Sequence, residues 1–284
     1  MIEGSYHGDT ISTMSVGERG VFNAPYAPLM FDVDRLPFPA GDGAATLDAF
    51  QALCRHGEVA ALILEPLVLG AGGMLMYLPE VLASLRAIAD AHGVLLIADE
   101  VMTGWGRTGR LWACDHAGIA PDILCTSKGL TGGAVPLAAT LATEAVFAAH
   151  YSEDRSRTFF HSSSYTANPI CCAAALANVG VWDAELVASR IDTLEARQAA
   201  HLARLADDPR WSNLRQCGTI AALDLRVPAG GYLAAEGPRM RAHFLARDVL
   251  LRPLGNTVYV LPPYGITEDQ LARVWDAIAS FTPA

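Results

Sequence analysis

The sequence predicts an α/β fold with a mostly parallel sheet, and three observations carry that expectation. Leu95-Leu96-Ile97-Ala98 and Ile123-Leu124-Cys125 are continuous apolar runs of strand length, the pattern of strands buried on both faces of a sheet. Each run ends in an ionisable residue, Asp99 and Lys128. The 29 residues from one to the other suit one strand, a crossover helix and the next strand, so both side chains are expected on one carboxyl edge, where open α/β sheets bind ligands.

Taken in order, Met1 to Gly4 reads as the tail of a strand entering Ser5-Tyr6-His7-Gly8-Asp9-Thr10, and the Pro- and Gly-rich stretch Val21 to Ala45 as a long surface loop. A short helix is expected over Leu47 to Arg55 and a buried strand over Val59 to Glu65, closed by Pro66. Glu65, at the strand exit, either assists at a site or satisfies loop backbone. Pro79 to His92 is amphipathic, with proline at its start and Gly93 at its end, as helix termini prefer. Beyond Asp99, alternation along the strand would turn Val101 to the same face. Leu111 to Ala117 is expected as a short helix, Ala138 to Thr143 as a strand and Glu144 to Tyr151 as a helix. A long Ala-rich helix follows Asn168, and Ala184 to Ala206 forms another that links to an α+β tail. That tail is expected to hold strands at Gly218 to Leu225, Val249 to Arg252 and Thr257 to Leu261, and helices at Gly237 to Arg247 and Thr267 to Phe281. Two domains are expected, 1–180 and 181–284.

Composition narrows the function. At 52% hydrophobic and 18% charged residues, the chain has the make-up of a globular enzyme. A formal charge of −10 argues against nucleic-acid binding, which needs basic patches. The longest uncharged run, Gly129 to Thr143, is too short and too interrupted by proline and glycine for a membrane span. Six cysteines form no CxxC pair and have no histidine at ligand spacing, so no metal site is expected. With no secretory signal in view, free thiols in the cytoplasm are the default expectation.

A carboxylate and an amine on one sheet edge suit pyridoxal phosphate (PLP). That cofactor needs a lysine for covalent attachment and an acid that keeps its ring nitrogen protonated. The segments SYHGDT, DEVMTGWGRTG (Asp99 to Gly109), TSKGLTGG (Thr126 to Gly133), FFHSSSYTANP (Phe159 to Pro169) and RPLGNTVYVLPPY (Arg252 to Tyr264) resemble the class III aminotransferases of the PLP fold type I superfamily. Within that family they are most similar to the branch that forms 7,8-diaminononanoate for biotin synthesis.

The resemblance implies roles residue by residue. Lys128 would bind PLP and act as base, and Asp99 would hold the ring nitrogen. Tyr6 would stack on one ring face and Val101 on the other, with His7 and Gly8 shaping the turn. Ser164 would reach the phosphate of a partner subunit's cofactor. Arg252 would pair with the substrate carboxylate, for which a guanidinium fork is suited, with Arg107 and Asp9 nearby. A homodimer acting on a small amino donor and a keto acceptor is implied.

In that family a substantial N-terminal portion, with a phosphate-binding loop, precedes the point where this sequence starts. Two alternatives to the diaminononanoate branch therefore stand: a class III aminotransferase for ω-amino acids or diamines, and a truncated, catalytically incompetent homologue.

Overall fold

The computed structural model describes residues 1–283, which form two compact units. The first comprises Met1–Leu67, Tyr77–Trp105 and Trp112–Glu185, and the second Val68–Met76, Gly106–Leu111 and Leu186–Ala284. The units meet along the chain at Glu185/Leu186 rather than 180/181, and the second takes in two excursions from the first.

In the first unit, Ile2 makes only an isolated bridge to Leu36, so the expected opening strand is a single contact. Helix α1 (Ile11–Ser15) starts on a capping box between Thr10 and Thr13. The stretch expected as loop contains a 3₁₀ turn, Ala24–Leu29, and helix α2 begins earlier than expected, at Ala44–Arg55. Strand β1 (Ala61–Leu64) follows. After a short hairpin of β2 (Val68–Leu69) and β3 (Leu75–Met76), assigned to the second unit, helix α3 runs from Pro79 to His92 and stops at Gly93 in the left-handed conformation. Its Leu82 and Leu85 are fully buried, and it packs on β4 (Leu95–Asp99).

Strands β1, β4 and β5 (Ile123–Thr126) are parallel, and β6 (Ala139–Ala142) pairs antiparallel with β5, giving the order β1-β4-β5-β6. Burial alternates instead of covering both faces. Leu96 and Ala98 are fully buried while Leu95 is 38% exposed, and β6 is exposed along its length. The β4–β5 crossover carries no α-helix. Turns lead to a 3₁₀ segment, Ala113–Ala117, shorter than the expected Leu111 to Ala117. Buried Glu100 anchors this crossover, taking the Thr103 hydroxyl on one oxygen and the Cys114 backbone N–H on the other. Helices α4 (Glu144–His150) and α5 (Pro169–Ala184) complete the unit.

The second unit packs α6 (Val187–Ala203), α7 (Glu236–Leu245) and α8 (Glu268–Ala279) around an antiparallel sheet of β7 (Trp211–Cys217), β8 (Ile220–Leu225) and β9 (Thr257–Val260). Trp211, Leu223, Met240, Phe244, Val258 and Trp275 centre its core. Strand β7 is unheralded in sequence because Ser212, Asn213, Arg215 and Gln216 give it a polar look. An irregularity between Ser212 and Arg215, with Asn213 at φ 49°, breaks its alternation further.

The expected strand at Val249 to Arg252 does not form. The Val249 N–H closes onto Phe244 O at the end of α7, Asp248 is left-handed, and Pro253 has no N–H to give a ladder. Arg215 ties the β2–β3 hairpin to this sheet. Its guanidinium donates to Met74 O (2.8 Å), Gly73 O (2.6 Å) and Asp224 Oδ1 (2.9 Å). Gly218 lets the Thr108–Gly109 backbone lie against the β7–β8 turn, since a Cβ there would stand 2.1 Å from the Thr108 carbonyl carbon.

Candidate active site

Parallel pairing brings Asp99 opposite Cys125, three residues before Lys128, so β4 and β5 deliver carboxylate and amine to the same sheet edge. Asp99 is held on both oxygens. The His7 imidazole lies 2.8 Å from Oδ2 through Nδ1, and the Val101 N–H donates to Oδ1 at 3.1 Å. A carboxylate only accepts, so the shared proton belongs to His7 Nδ1. The His7 side chain is 1% exposed, and its other nitrogen is buried without a partner. Lys128 is exposed, at φ 38°, and its ammonium has no hydrogen-bond or ion-pair partner among the described residues. A left-handed lysine is uncommon, so the surrounding turn must hold it there.

Three groups hold that turn. Gly129 lies under Trp105, where a Cβ would come within 2.6 Å of the tryptophan side chain. The Trp105 indole N–H donates to Thr126 Oγ1 at 2.9 Å, and its ring packs edge-on against Trp112 and Trp182. From α5, the Asn178 amide donates to Gly129 O at 2.9 Å and to Leu130 O at 3.2 Å. Trp105, Asn178 and Glu100 were not singled out from sequence. Only the glycine after the lysine hinted at a close approach, because the partners come from distant elements.

The remaining expected residues divide. The Tyr6 ring is 46% exposed, with its hydroxyl donating to Asp9 Oδ1 at 2.9 Å and its backbone N–H to Glu65 Oε1 at 2.9 Å. Glu65 therefore satisfies loop backbone, the second of its two readings. Gly8 sits at φ 126°, a conformation that suits glycine. Val101 lies in a turn beyond the end of β4, so strand alternation does not orient it as expected. Ser164 is exposed in a turn, and α5 is capped instead by Asn168, whose Oδ1 accepts from the Ile170 N–H.

In the second unit, Arg107 is occupied internally. It donates to Pro262 O at 2.6 Å and stacks over the Tyr264 ring at 4.5 Å. The Thr219 N–H and hydroxyl return hydrogen bonds to its carbonyl. Arg252 is exposed and lines a cleft of about 630 Å³. Among the described residues no group of three or more His, Cys, Asp or Glu side chains could hold a metal, and all six cysteines are free. No single helix there is long and apolar enough to cross a membrane.

A half-buried, doubly held carboxylate and a free lysine amine on one edge of a mixed, largely parallel sheet define a fold type I PLP-binding framework, and the residues present fit the ring side of that cofactor. The aminotransferase class-III profile matches residues 1–281, and the chain belongs to that family.

Adenosylmethionine-8-amino-7-oxononanoate aminotransferase from Synechococcus elongatus is 48% identical over 98% of this chain and 67% of its own length. The crystal structure of the enzyme of that name from Methanocaldococcus jannaschii superposes with a TM-score of 0.90 at 31% identity, covering 98% of this chain and 67% of that one. An amine transaminase from an uncultivated Pseudomonas species, described in its PLP-bound form, gives 0.88 at 31% identity over 98% and 68%. The chain spans roughly half to two thirds of the length of the curated relatives it matches.

Proposed function

We propose that this chain carries the catalytic lysine and ring-binding acid of an aminotransferase that converts 8-amino-7-oxononanoate to 7,8-diaminononanoate, with S-adenosylmethionine as amino donor, in biotin biosynthesis. The observation that carries the reading is the delivery of Asp99 and Lys128 to one sheet edge by adjacent parallel strands. The substrate assignment draws on the names of the relatives that are 37–48% identical.

Pyridoxal phosphate, when bound, supplies an electron sink for the carbanion formed at the amine-bearing carbon. Asp99 would hold the ring nitrogen and keep it protonated, while His7 and the Val101 N–H fix the carboxylate's orientation. Lys128 would hold the cofactor through its amine and, once released, would serve as the base that moves the proton at the substrate's amine-bearing carbon. Both tasks need the neutral amine, and its nitrogen is exposed with no hydrogen-bond or ion-pair partner among the described residues, so no ion pair has to break first. Tyr6, His7, Gly8 and Val101 border the ring, with Asp9 holding the Tyr6 hydroxyl. Arg252 takes the acceptor's carboxylate. Arg107 acts through the loop it clamps. Ser164 contributes to the phosphate site of a second copy.

A homodimer is part of this reading. Helix α5 buries none of its residues, and Ile170, Leu176, Val179 and Val181 on it are exposed, an apolar surface of the kind that a second chain covers. The cytoplasm is the proposed compartment.

The test is spectroscopic. The purified chain is titrated with PLP, and the visible band recorded before and after borohydride and again in Lys128→Ala. A band that borohydride removes and the variant lacks supports the assignment, after which turnover with adenosylmethionine and the keto acid is measured against diamine donors. No band at millimolar PLP would sink it.

A further inference from the structure

The cleft that Arg252 lines has a second cationic wall. Arg241, on α7, lines the same cleft of about 630 Å³, within the size range of small-molecule sites. Neither guanidinium has an ion-pair or hydrogen-bond partner among the described residues, and no acidic residue lines the cleft. This is unusual in a chain where 30 acidic residues outnumber 20 basic ones. Four other arginines in the second unit are ion-paired: Arg197 with Glu268, Arg204 with Asp276, Arg210 with Asp208 and Arg215 with Asp224. The remaining walls are largely apolar, with Tyr232, Leu233, Pro238 and Pro253 among them. Two free guanidiniums beside an apolar lining match a ligand with one anionic end and an aliphatic body.

We infer that Arg241 is a second carboxylate-recognition residue, sharing with Arg252 the terminal carboxylate of a medium-chain aliphatic acid while the apolar wall takes its chain. The inference rests on the reading of Arg252 given above and extends it to a residue on a different element. Arg241 lies four residues along α7 from Gly237, which also lines the cleft, so both sit on one helix face. The long arginine stem allows the head to reach the cleft while the backbone stays in the helix.

Calorimetric titration of the full chain, without cofactor, with sodium nonanoate tests this. Nonanamide serves as the neutral control and inorganic phosphate as an anion without a tail. Arg241→Gln should weaken nonanoate binding about fivefold, the upper end for an exposed charge pair. Arg252→Gln should weaken it more, and Arg241→Lys should restore part of the loss. Both arginines are exposed and unpaired, so thermal melts of the variants should match the parent.

Unchanged nonanoate affinity in Arg241→Gln would overturn the inference, as would equal binding of nonanamide, or phosphate competing as well as nonanoate. If the chain fails to transaminate but nonanoate binding still depends on Arg241, the inference stands and the proposed reaction falls. If it turns over and Arg241→Gln binds normally, the reverse holds.

Discussion

Replacing Gly129 by alanine tests how the lysine turn is held. The added methyl would meet Trp105 Cβ at 2.6 Å and Cγ and Cδ1 at 2.7 Å. That ring has little freedom to retreat, because its N–H is bonded to Thr126 and its faces are set by Trp112 and Trp182. Overpacking of this sort costs about 1–3 kcal/mol, and losing the Trp105–Thr126 hydrogen bond adds about 1 kcal/mol. Against this, alanine restricts the unfolded chain and returns about 0.4–1 kcal/mol. Gly129 is not at positive φ, so that gain applies here. The net expectation is a destabilisation of about 1–3 kcal/mol.

Urea unfolding followed by fluorescence of the five tryptophans reads it, with Trp105→Ala and the double variant closing a cycle. In the Trp105→Ala background the alanine should cost less, since the ring atoms at 2.7 Å are gone and only the Cβ at 2.6 Å remains. Gly129→Ala should also slow capture of PLP by Lys128, because the displaced turn carries the lysine. A Gly129→Ala protein as stable as its parent, or more stable by the backbone term alone, would refute the wedge.

Two further outcomes follow from the same geometry. Burial raises the Glu100 carboxyl above its ordinary range, its hydrogen bonds opposing this only in part, so the folded state keeps that proton to higher pH than the unfolded state does. Its stabilising contribution is thus present below the ordinary carboxylate range and is lost as pH rises through the folded value. Urea midpoints measured from pH 4 upward should therefore fall less in Glu100→Gln than in the parent, and parallel curves would contradict the assignment. Arg107→Lys should lower the stability of the second unit by about 1–2 kcal/mol, because a compact ammonium cannot both stack on Tyr264 and reach the Pro262 carbonyl. An unchanged melt with a raised KM would instead place Arg107 on the substrate.

What the sequence by itself determined is local and periodic. Apolar runs located β4 and β5, proline and glycine bracketed α3, and the pairing of Asp99 with Lys128 across one strand spacing named the cofactor chemistry before any coordinates. Those signals survive in sequence because each depends on neighbours a few residues away.

Tertiary structure decided the rest. Strand β7 looked polar because its Arg215 works as a strut to Gly73 and Met74, contacts some 140 residues distant. The stretch from Val249 to Arg252 looked like a strand, but the Val249 N–H closes onto α7 rather than a ladder. Arg107 was expected near the substrate carboxylate, and only the fold shows its contacts with Pro262 O and the Tyr264 ring, more than 150 residues away. The clamp on Lys128 joins Trp105, Gly129 and Asn178 from three separate elements, and no periodicity records it. Long-range contacts of this kind are set by packing geometry, which a linear pattern of apolar and polar residues does not encode.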